Sequence, residues 1–413
     1  MSHLDNELNQ RLNALREQGL YRELRRIDSP QSPRIVINGQ SLLNFSSNDY
    51  LGLANDPVLK EAAMKAVEKF GAGTGASRLI CGSLAPHHEL EETLAAFKGT
   101  EAALTFSTGY AAATGTIGAL LGKEDIIITD KQVHACLVDA ARLCGAQRRI
   151  FAHNDLNDLE EILKRTGHES RITNHESRRP LTLIVTESVF SMDGGFAPLR
   201  EIVGLKEKYG AWLMVDEAHA TGVHGPNRRG LAEELAVSDR IEIQMGTLGK
   251  ALGSAGGFIC GSRALIDYLI NRARSFIFST APVPAAAAAA NAGIKLVQSS
   301  EGAKRAETLW RHVQHVGDDV RSLKLLREKS QRLFTSSATN KGSAILPLLI
   351  GDEAEAVATA AALREQGIFI PAIRYPTVAR GSARLRITLT AAHSSEEIGA
   401  LATALSQIAN RKS

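Results

Sequence analysis

The segment AWLMVDEAHATGVHG (residues 211–225) sets a short apolar run against three ionisable groups, Asp216, Glu217 and His219. AWLMV reads as a buried strand, and open α/β sheets gather their ligands at the carboxyl ends of strands, where this cluster stands. After a second run, IEIQM (241–245), comes Gly246-Thr247-Leu248-Gly249-Lys250, followed by small residues through Gly257. A lysine bracketed by glycines beside a sheet end can approach a flat aldehyde cofactor and form a Schiff base. A carboxylate on the neighbouring strand end can hold a pyridine nitrogen protonated, which makes the ring an electron sink. Alone, a strand-end aspartate reads as a cap and a Gly-Lys pair as a loop. Together, in this order, Asp216 and Lys250 point to pyridoxal phosphate (PLP).

On both sides of this segment, from about Asp56 to Ala290, helical patterns alternate with the short apolar runs AALTF, DIIIT, LTLIVT, AWLMV, IEIQM and GGFIC. That alternation predicts an α/β fold, a mainly parallel sheet covered by helices. Upstream, Leu4, Leu8, Leu12 and Leu15 recur at helical spacing with Gly19 as a stop, so the chain is expected to open with an amphipathic helix. IVINGQSLLNF follows, with Asn38-Gly39 as its hairpin turn. Downstream, Ala285 to Ala290 begins what reads as one long helix leading to a small C-terminal α+β layer: AILPLLI, a helix over 352–366, GIFIPAI, SARLRITLT and a last helix from Ser394. The expected division is residues 1–55 as an N-terminal segment, 56–292 as a large domain and 293–413 as a small one.

The 413 residues carry 48 Lys and Arg against 45 Asp and Glu, a surplus of +3. A surplus that small makes no field for nucleic acid or a membrane surface. With 44% hydrophobic and 23% charged residues, disordered and fibrous classes are excluded. Ala102 to Gly122 carries no charge for about one bilayer crossing, yet is rich in hydroxyls and glycines and reads as buried soluble core. Cys81, Cys136, Cys144 and Cys260 form no CxxC pair, so buried, inert thiols in a reducing cytosol are expected. The polar N-terminus lacks the apolar core of a signal peptide, so a cytoplasmic enzyme is expected. Residues 165–180 are polar and basic and hold HESR twice; His168 and His175 lack a third ligand, and the stretch reads as a solvated loop without metal. Gly71-Ala72-Gly73-Thr74-Gly75-Ala76 matches a dinucleotide fingerprint, but a helical pattern precedes it where a strand is required. It reads as a flexible loop near a ligand, ending on Ser77 and Arg78.

Over nearly its whole length the chain resembles the α-oxoamine synthases among the fold type I PLP-dependent enzymes. The motifs are NFSSNDYLGL (44–53), FSTGYAAATG (106–115), the His134 segment, ESVFSMDGG (187–195), MVDEAHATGVHG (214–225), TLGKALGSAGG (247–257), FIFSTAPVP (276–284) and ARLRITLTAAH (383–393). The resemblance implies a large domain with a mainly parallel seven-stranded sheet, a small C-terminal α+β domain and a homodimer with shared sites. It makes Lys250 the Schiff-base lysine and the acid/base at Cα, Asp216 the partner of the pyridinium nitrogen, His219 a donor to the ring's phenolic oxygen and His134 the histidine stacked over the ring. Ser191 falls near the ring oxygen. Thr108, Gly109 and Tyr110, after strand AALTF, suit a phosphate at the start of the next helix. Thr247 would add a hydroxyl there, with Ser279 and Thr280 reaching in from the second subunit. Asn48 and Arg386, with Arg374, would bind the amino-acid carboxylate. The family commonly has Asn where Ala113 stands, which removes one polar contact.

The segment PAIRYPTVARGSARLRITLTAAH (371–393) is most similar to the biotin-pathway branch, which condenses L-alanine with a pimeloyl thioester of CoA or a carrier protein. Arg25, in YRELRR, stands where that branch has an arginine near the acyl entrance; a solvated charge at a helix end is the plainer reading. Other branches use glycine or serine instead, as 2-amino-3-ketobutyrate CoA ligase, 5-aminolevulinate synthase and serine palmitoyltransferase do. Outside catalysis, a PLP-binding regulatory protein would be expected to bring a basic DNA-binding segment, and none is visible. The chemistry also sets a demand on Lys250: an amine near pKa ~10.4 is charged at neutral pH, so its surroundings must lower that value.

Overall fold

The structure, a computed structural model, describes residues 2–172, 180–322 and 342–410. It opens with α1 (His3–Glu17), started by a reciprocal cap in which Ser2 Oγ accepts from Asp5 N–H and the Asp5 carboxylate accepts from Ser2 N–H. The leucine stripe exists, yet none of this helix is buried, and Leu4 and Leu8 are 63% and 45% exposed. β1 (Arg34–Ile37) and β2 (Gln40–Asn44) form the antiparallel hairpin, with Asn38 and Gly39 at φ 50° and 76°. Both values are positive, as a twist-matched two-residue turn requires.

Next come α2 (Pro57–Phe70), α3 (Ala85–Lys98), β3 (Ala102–Phe106), α4 (Gly109–Leu120), β4 (Ile126–Asp130), α5 (Ala135–Leu143) and β5 (Gln147–Phe151). They lead to α6 (Leu156–Ile172), β6 (Thr182–Glu187), α7 (Leu199–Tyr209), β7 (Trp212–Asp216), the short α8 (Leu231–Glu234), β8 (Ile243–Thr247) and β9 (Gly257–Gly261). The seven strands lie in the order β3-β9-β8-β7-β6-β4-β5, all parallel except β9, which runs against both neighbours. The mainly parallel α/β architecture is therefore as expected.

Alternation along the strands divides the core. Leu183 and Val185, Met214, Ile243 and Met245 pack on one face with α4, α5 and α9 (Arg263–Arg272). Ile184, Leu213 and Val215 pack on the other with α6 and α7. Side chains two apart share a face. The last residues of β6, β7 and β8, namely Glu187, Asp216 and Thr247, thus fall on the α4 and α5 face.

After α10 (Arg274–Ile277) the expected long helix is two: α11 (Pro284–Gln298) and α12 (Ser300–Ser322), broken at the extended Ser299. Ser299 Oγ accepts from Gly302 N–H, and a Cβ on Gly302 would fall 2.3 Å from Val297 O, so the serine pair and the glycine make the corner. The small layer holds β10 (Ile345–Gly351), α13 (Glu353–Glu365), β11 (Ile368–Phe369), β12 (Ala372–Ile373), β13 (Ala383–Thr388) and α14 (Ser395–Asn410). β10, β13 and β12 form one sheet, while β11 pairs in parallel with β2 and so ties the N-terminal segment to the C-terminal layer.

One strand left no signal in the sequence, and two further expectations need correction. β5 has no apolar run: QRRIF is an edge strand with exposed Arg148 and Ile150, so burial left no pattern to read. α6 continues through Ile172 and takes in His168, where a loop was expected; His175 lies outside the described residues. The cysteines are free, but Cys81 is exposed, in a π-helical turn (Arg78–Gly82) that turns Leu79 and Ile80 outward. Ala102 to Gly122 is β3 plus α4, both in the core, and among the described residues no helix is long and apolar enough to cross a membrane.

Candidate active site

The strand ends bring two carboxylates together. Glu187 and Asp216 are register partners on β6 and β7 and are 2% and 6% exposed. Burial pushes both carboxyl groups up; for Glu187, which reaches about 8, Asp216 adds to the effect while Lys250 opposes it. Asp216 Oδ1 accepts from Ala218 N–H at 2.9 Å, and Glu187 Oε2 accepts from Ser191 N–H at 3.2 Å. Among the described residues Glu187 Oε1 has no hydrogen-bond partner. The next residue, Glu217, turns the other way, into a buried ion pair with Lys98 at 2.5 Å, and its Oε1 accepts from Ala232 N–H. It anchors the turn that carries His219.

Lys250 Nζ lies 2.8 Å from His219 Nε2. Burial lowers the pKa of Lys250 against the pull of Asp216 and Glu187, the shift that proton abstraction by an amine requires. His219 is held well below its ordinary value by burial and then by the charges of Lys250 and Arg386. Lys250 sits in a tight loop, closed by Leu248 N–H to Gly256 O and by Ser254 N–H to Leu248 O. Within it Gly253, at φ +70°, packs so closely on Leu53 that a Cβ would fall 2.7 Å from the Leu53 carbonyl carbon.

His134 stands at a helix start: it caps α5, with Nδ1 accepting from Cys136 N–H at 3.2 Å and the Cys136 thiol 3.0 Å away. Its pKa is lowered by burial, against the attraction of Asp216. Arg386, on β13, crosses from the small layer to donate from Nε to Ser191 O at 2.6 Å, and its Nη1 donates to Thr388. Asn48 joins the same group through Tyr50, whose hydroxyl is 3.4 Å from Asn48 Oδ1.

The expected phosphate residues cluster where α4 begins. Thr108 is its N-cap, accepting from Ala111 N–H, and a Cβ on Gly257 would fall 2.6 Å from Gly109 N. This close approach brings the α4 N-terminus against the start of β9, where Gly257 pairs with Thr247 at the end of β8. Thr247 Oγ1 donates to Gly256 O at 2.9 Å, and Tyr110 points outward to Asp139. Ser279 donates to Thr280 O, and Thr280 is exposed and bridges to Ser77 of the same chain. Arg78, expected at a ligand loop, is instead buried in a two-pronged ion pair with Glu91 at 2.9 Å. Arg25 and Arg374 line one cavity of about 150 Å³ with Arg364, Phe369 and Pro371. A cavity of about 950 Å³ lies at the other end of the sheet, beside Trp212 at the start of β7.

A pyridine aldehyde phosphate suits this arrangement. Its ring N–H would answer the buried carboxylate pair, its aldehyde would meet Lys250, and its phosphate would meet the α4 N-terminus. The motifs had already marked Asp216, His219, Lys250, His134 and Arg386. They left Glu187 and Tyr50 without a role; counting strand parity back from Asp216 would have placed Glu187 beside it.

The model for aminotransferase class I and II matches residues 40–405. An 8-amino-7-oxononanoate synthase of Geotalea daltonii is 46% identical over 97% of this chain and 97% of its own. The chain belongs to the 8-amino-7-oxononanoate synthase family, within the class I and II aminotransferases. Among solved structures, serine palmitoyltransferase from S. paucimobilis with a bound PLP–myriocin aldimine is 29% identical, with TM-score 0.87, covering 100% of this chain and 99% of that one. The 8-amino-7-oxononanoate synthase of Francisella tularensis is 26% identical, with TM-score 0.72, covering 90% and 98%. The resemblance seen in the motifs is borne out, and with it the fold type I architecture.

Proposed function

We propose that this protein is a PLP-dependent acyltransferase that condenses L-alanine with a pimeloyl thioester, releasing CoA (or its carrier) and CO2 and giving 8-amino-7-oxononanoate for biotin synthesis. The observation that carries the reading is the Lys250–His219 contact of 2.8 Å over the buried Glu187–Asp216 pair. The relatives at up to 46% identity supply the substrate class. When bound, PLP supplies an electron sink that makes the Cα–H of alanine acidic.

The chain's own residues supply the rest. Asp216 would keep a proton on the pyridine nitrogen, and His219 would donate to the phenolic oxygen. His134 would hold the ring, and Ser191, 6% exposed beside Glu187, would offer it a hydroxyl. Gly109, Thr108 and Thr247 would hold the phosphate. Arg386 and Asn48 bind the alanine carboxylate, fixing which bond at Cα faces Lys250. Lys250 Nζ, whose charge burial disfavours, would take the Cα proton and return one after CO2 has left. Arg374, which the resemblance set at the amino-acid carboxylate, lines a cavity with Arg25, and the two would form a cationic site for the free carboxylate of the pimeloyl chain. Ser279 and Thr280 would complete the phosphate site of a second copy, which makes the enzyme a homodimer. Four free cysteines fit work in the cytosol.

A panel of alanine, glycine and serine against pimeloyl-, acetyl- and palmitoyl-CoA, read as free-thiol release, tests the reading. Alanine with pimeloyl-CoA should be fastest. Preference for serine with palmitoyl-CoA would instead follow the serine palmitoyltransferase likeness, and no thiol release with any pair would remove the acyltransferase reading.

A further inference from the structure

His219 has both ring nitrogens engaged, and the partner on the far side from Lys250 is Tyr50. Tyr50 Oη lies 2.6 Å from His219 Nδ1. The phenol is 1% exposed, and burial pushes its pKa up to about 12, so it is an O–H at any working pH. The positive charge of Arg386 faces this oxygen, and a guanidinium has donors only, so toward Arg386 Tyr50 Oη can act only as an acceptor. Its own single proton is left for His219 Nδ1 or for Asn48 Oδ1, which at 3.4 Å is much the poorer acceptor.

At 2.6 Å against 3.4 Å, His219 Nδ1 is the better-placed acceptor for that proton, so the geometry favours an unprotonated Nδ1. A neutral imidazole with an acceptor at Nδ1 carries its proton on Nε2. The charged groups that face His219 are Lys250, Arg386 and His134, all cationic or able to become so, and they keep the ring neutral along with burial. Nε2–H then points at Lys250 Nζ, 2.8 Å away, and Lys250 can accept it only as a neutral amine. The opposite tautomer would present a lone pair at Nε2, stabilise an ammonium on Lys250 and repel a phenolic oxygen placed there.

We propose that Tyr50 is a positioning residue: its hydroxyl fixes His219 as the Nε2–H tautomer, so that His219 donates toward Lys250 and toward the cofactor's phenolic oxygen. The same hydroxyl, through Arg386, links the carboxylate-binding side of the site to the lysine. This inference rests on the reading of the site given above, but its primary measurement does not require turnover.

Nitrogen-15 NMR of the histidine-labelled holoenzyme, with the His219 signals assigned by a His219→Gln variant, should show Nε2 protonated and Nδ1 unprotonated from pH 6 to 9. A proton on Nδ1 in the wild-type protein overturns the proposal at once, whatever becomes of any variant. Tyr50→Phe keeps the ring and removes the hydroxyl. It should give a mixture of tautomers and raise the midpoint of the pH titration of the visible cofactor band, because the donor that favours the deprotonated form is weakened. It should also lower kcat roughly tenfold, about the worth of one hydrogen bond. If Tyr50 merely supports Arg386, the KM for alanine rises while the spectral midpoint and tautomer stay as in the wild type, and the proposal fails. If the tautomer result holds but alanine and pimeloyl-CoA release no thiol, the substrate reading fails and this inference stands.

Discussion

Glu187 and Asp216 face one another across two strands, and the protein cannot keep two buried anions there without a cation between them. The chain without cofactor is expected to answer by leaving Glu187 protonated, with its pKa near 8 against an ordinary 4.5. Between those values the native state holds a proton that the unfolded chain has released, so this group costs stability progressively as pH rises from about 4.5 through 8. The slope approaches ~1.4 kcal/mol per pH unit and totals a few kcal/mol. Glu187→Gln, which can still accept from Ser191 N–H, should remove that loss: its Tm relative to wild type should climb from pH 5 to pH 9. Parallel Tm curves would mean that Glu187 titrates as an ordinary carboxylate. Asp216→Asn probes the other member of the pair. The variant should bind PLP yet lose ~10²- to 10³-fold or more in kcat, since a neutral amide cannot sustain a pyridinium; near-normal turnover would reduce Asp216 to a cap for Ala218. At this scale the sequence was legible wherever chemistry and position coincide. Asp216, His219 and Lys250 stand at strand ends among glycines, and nothing commonplace requires all three. Glu187 was hidden because a glutamate ending a strand reads as solvated until its neighbour across the sheet is known.

The elements were read from apolar periodicity, and they were missed where burial is not what shapes them. β5 pairs with β4 and buries only Phe151 fully, with two arginines on it, and α6 runs through polar residues to Ile172. The break between α11 and α12 depends on the close approach of Gly302 to Val297 O, a contact that composition does not announce. Glycines give the clearest test of element-level reasoning, because one substitution should have opposite signs at two sites. Gly253 combines φ +70° with a Cβ position 2.5 Å from Leu53 Cβ. Gly253→Ala should cost ~2 kcal/mol or more and loosen the loop that carries Lys250. Gly118, inside α4, has nothing within 4 Å of its Cβ position. Gly118→Ala should stabilise by ~0.5 to 1 kcal/mol through helix propensity. Thermal unfolding of both variants decides the point, and a loss at Gly118 or indifference at Gly253 would contradict the packing described.

Across the whole molecule, what the sequence withheld is how distant segments meet. The pairing of β2 with β11, the crossing of Arg386 to Ser191 and the shared cavity of Arg25 and Arg374 each join residues hundreds of positions apart. No local pattern encodes such contacts. The largest of them is expected to lie between copies of the chain. The bridge between Ser77 and Thr280 sets two outward-turned segments side by side, and on them Leu79, Ile80 and Phe278 are 50%, 79% and 71% exposed. Large side chains grouped this way beside the candidate phosphate residues are costly to leave in water, and a second copy is the occupant that would also make use of Ser279 and Thr280. The holoenzyme should therefore sediment at about twice the 44.3 kDa of one chain. Replacing Ile80 and Phe278 together by Asp should yield a 44.3 kDa species. Its circular dichroism should match wild type, because these side chains contribute little to the protomer's own core. That monomer should bind PLP weakly and show almost no turnover if the phosphate site is completed across the interface. A monomer with full cofactor affinity and activity would show that each site is complete within one chain and that Ser279 and Thr280 do not reach a partner's cofactor.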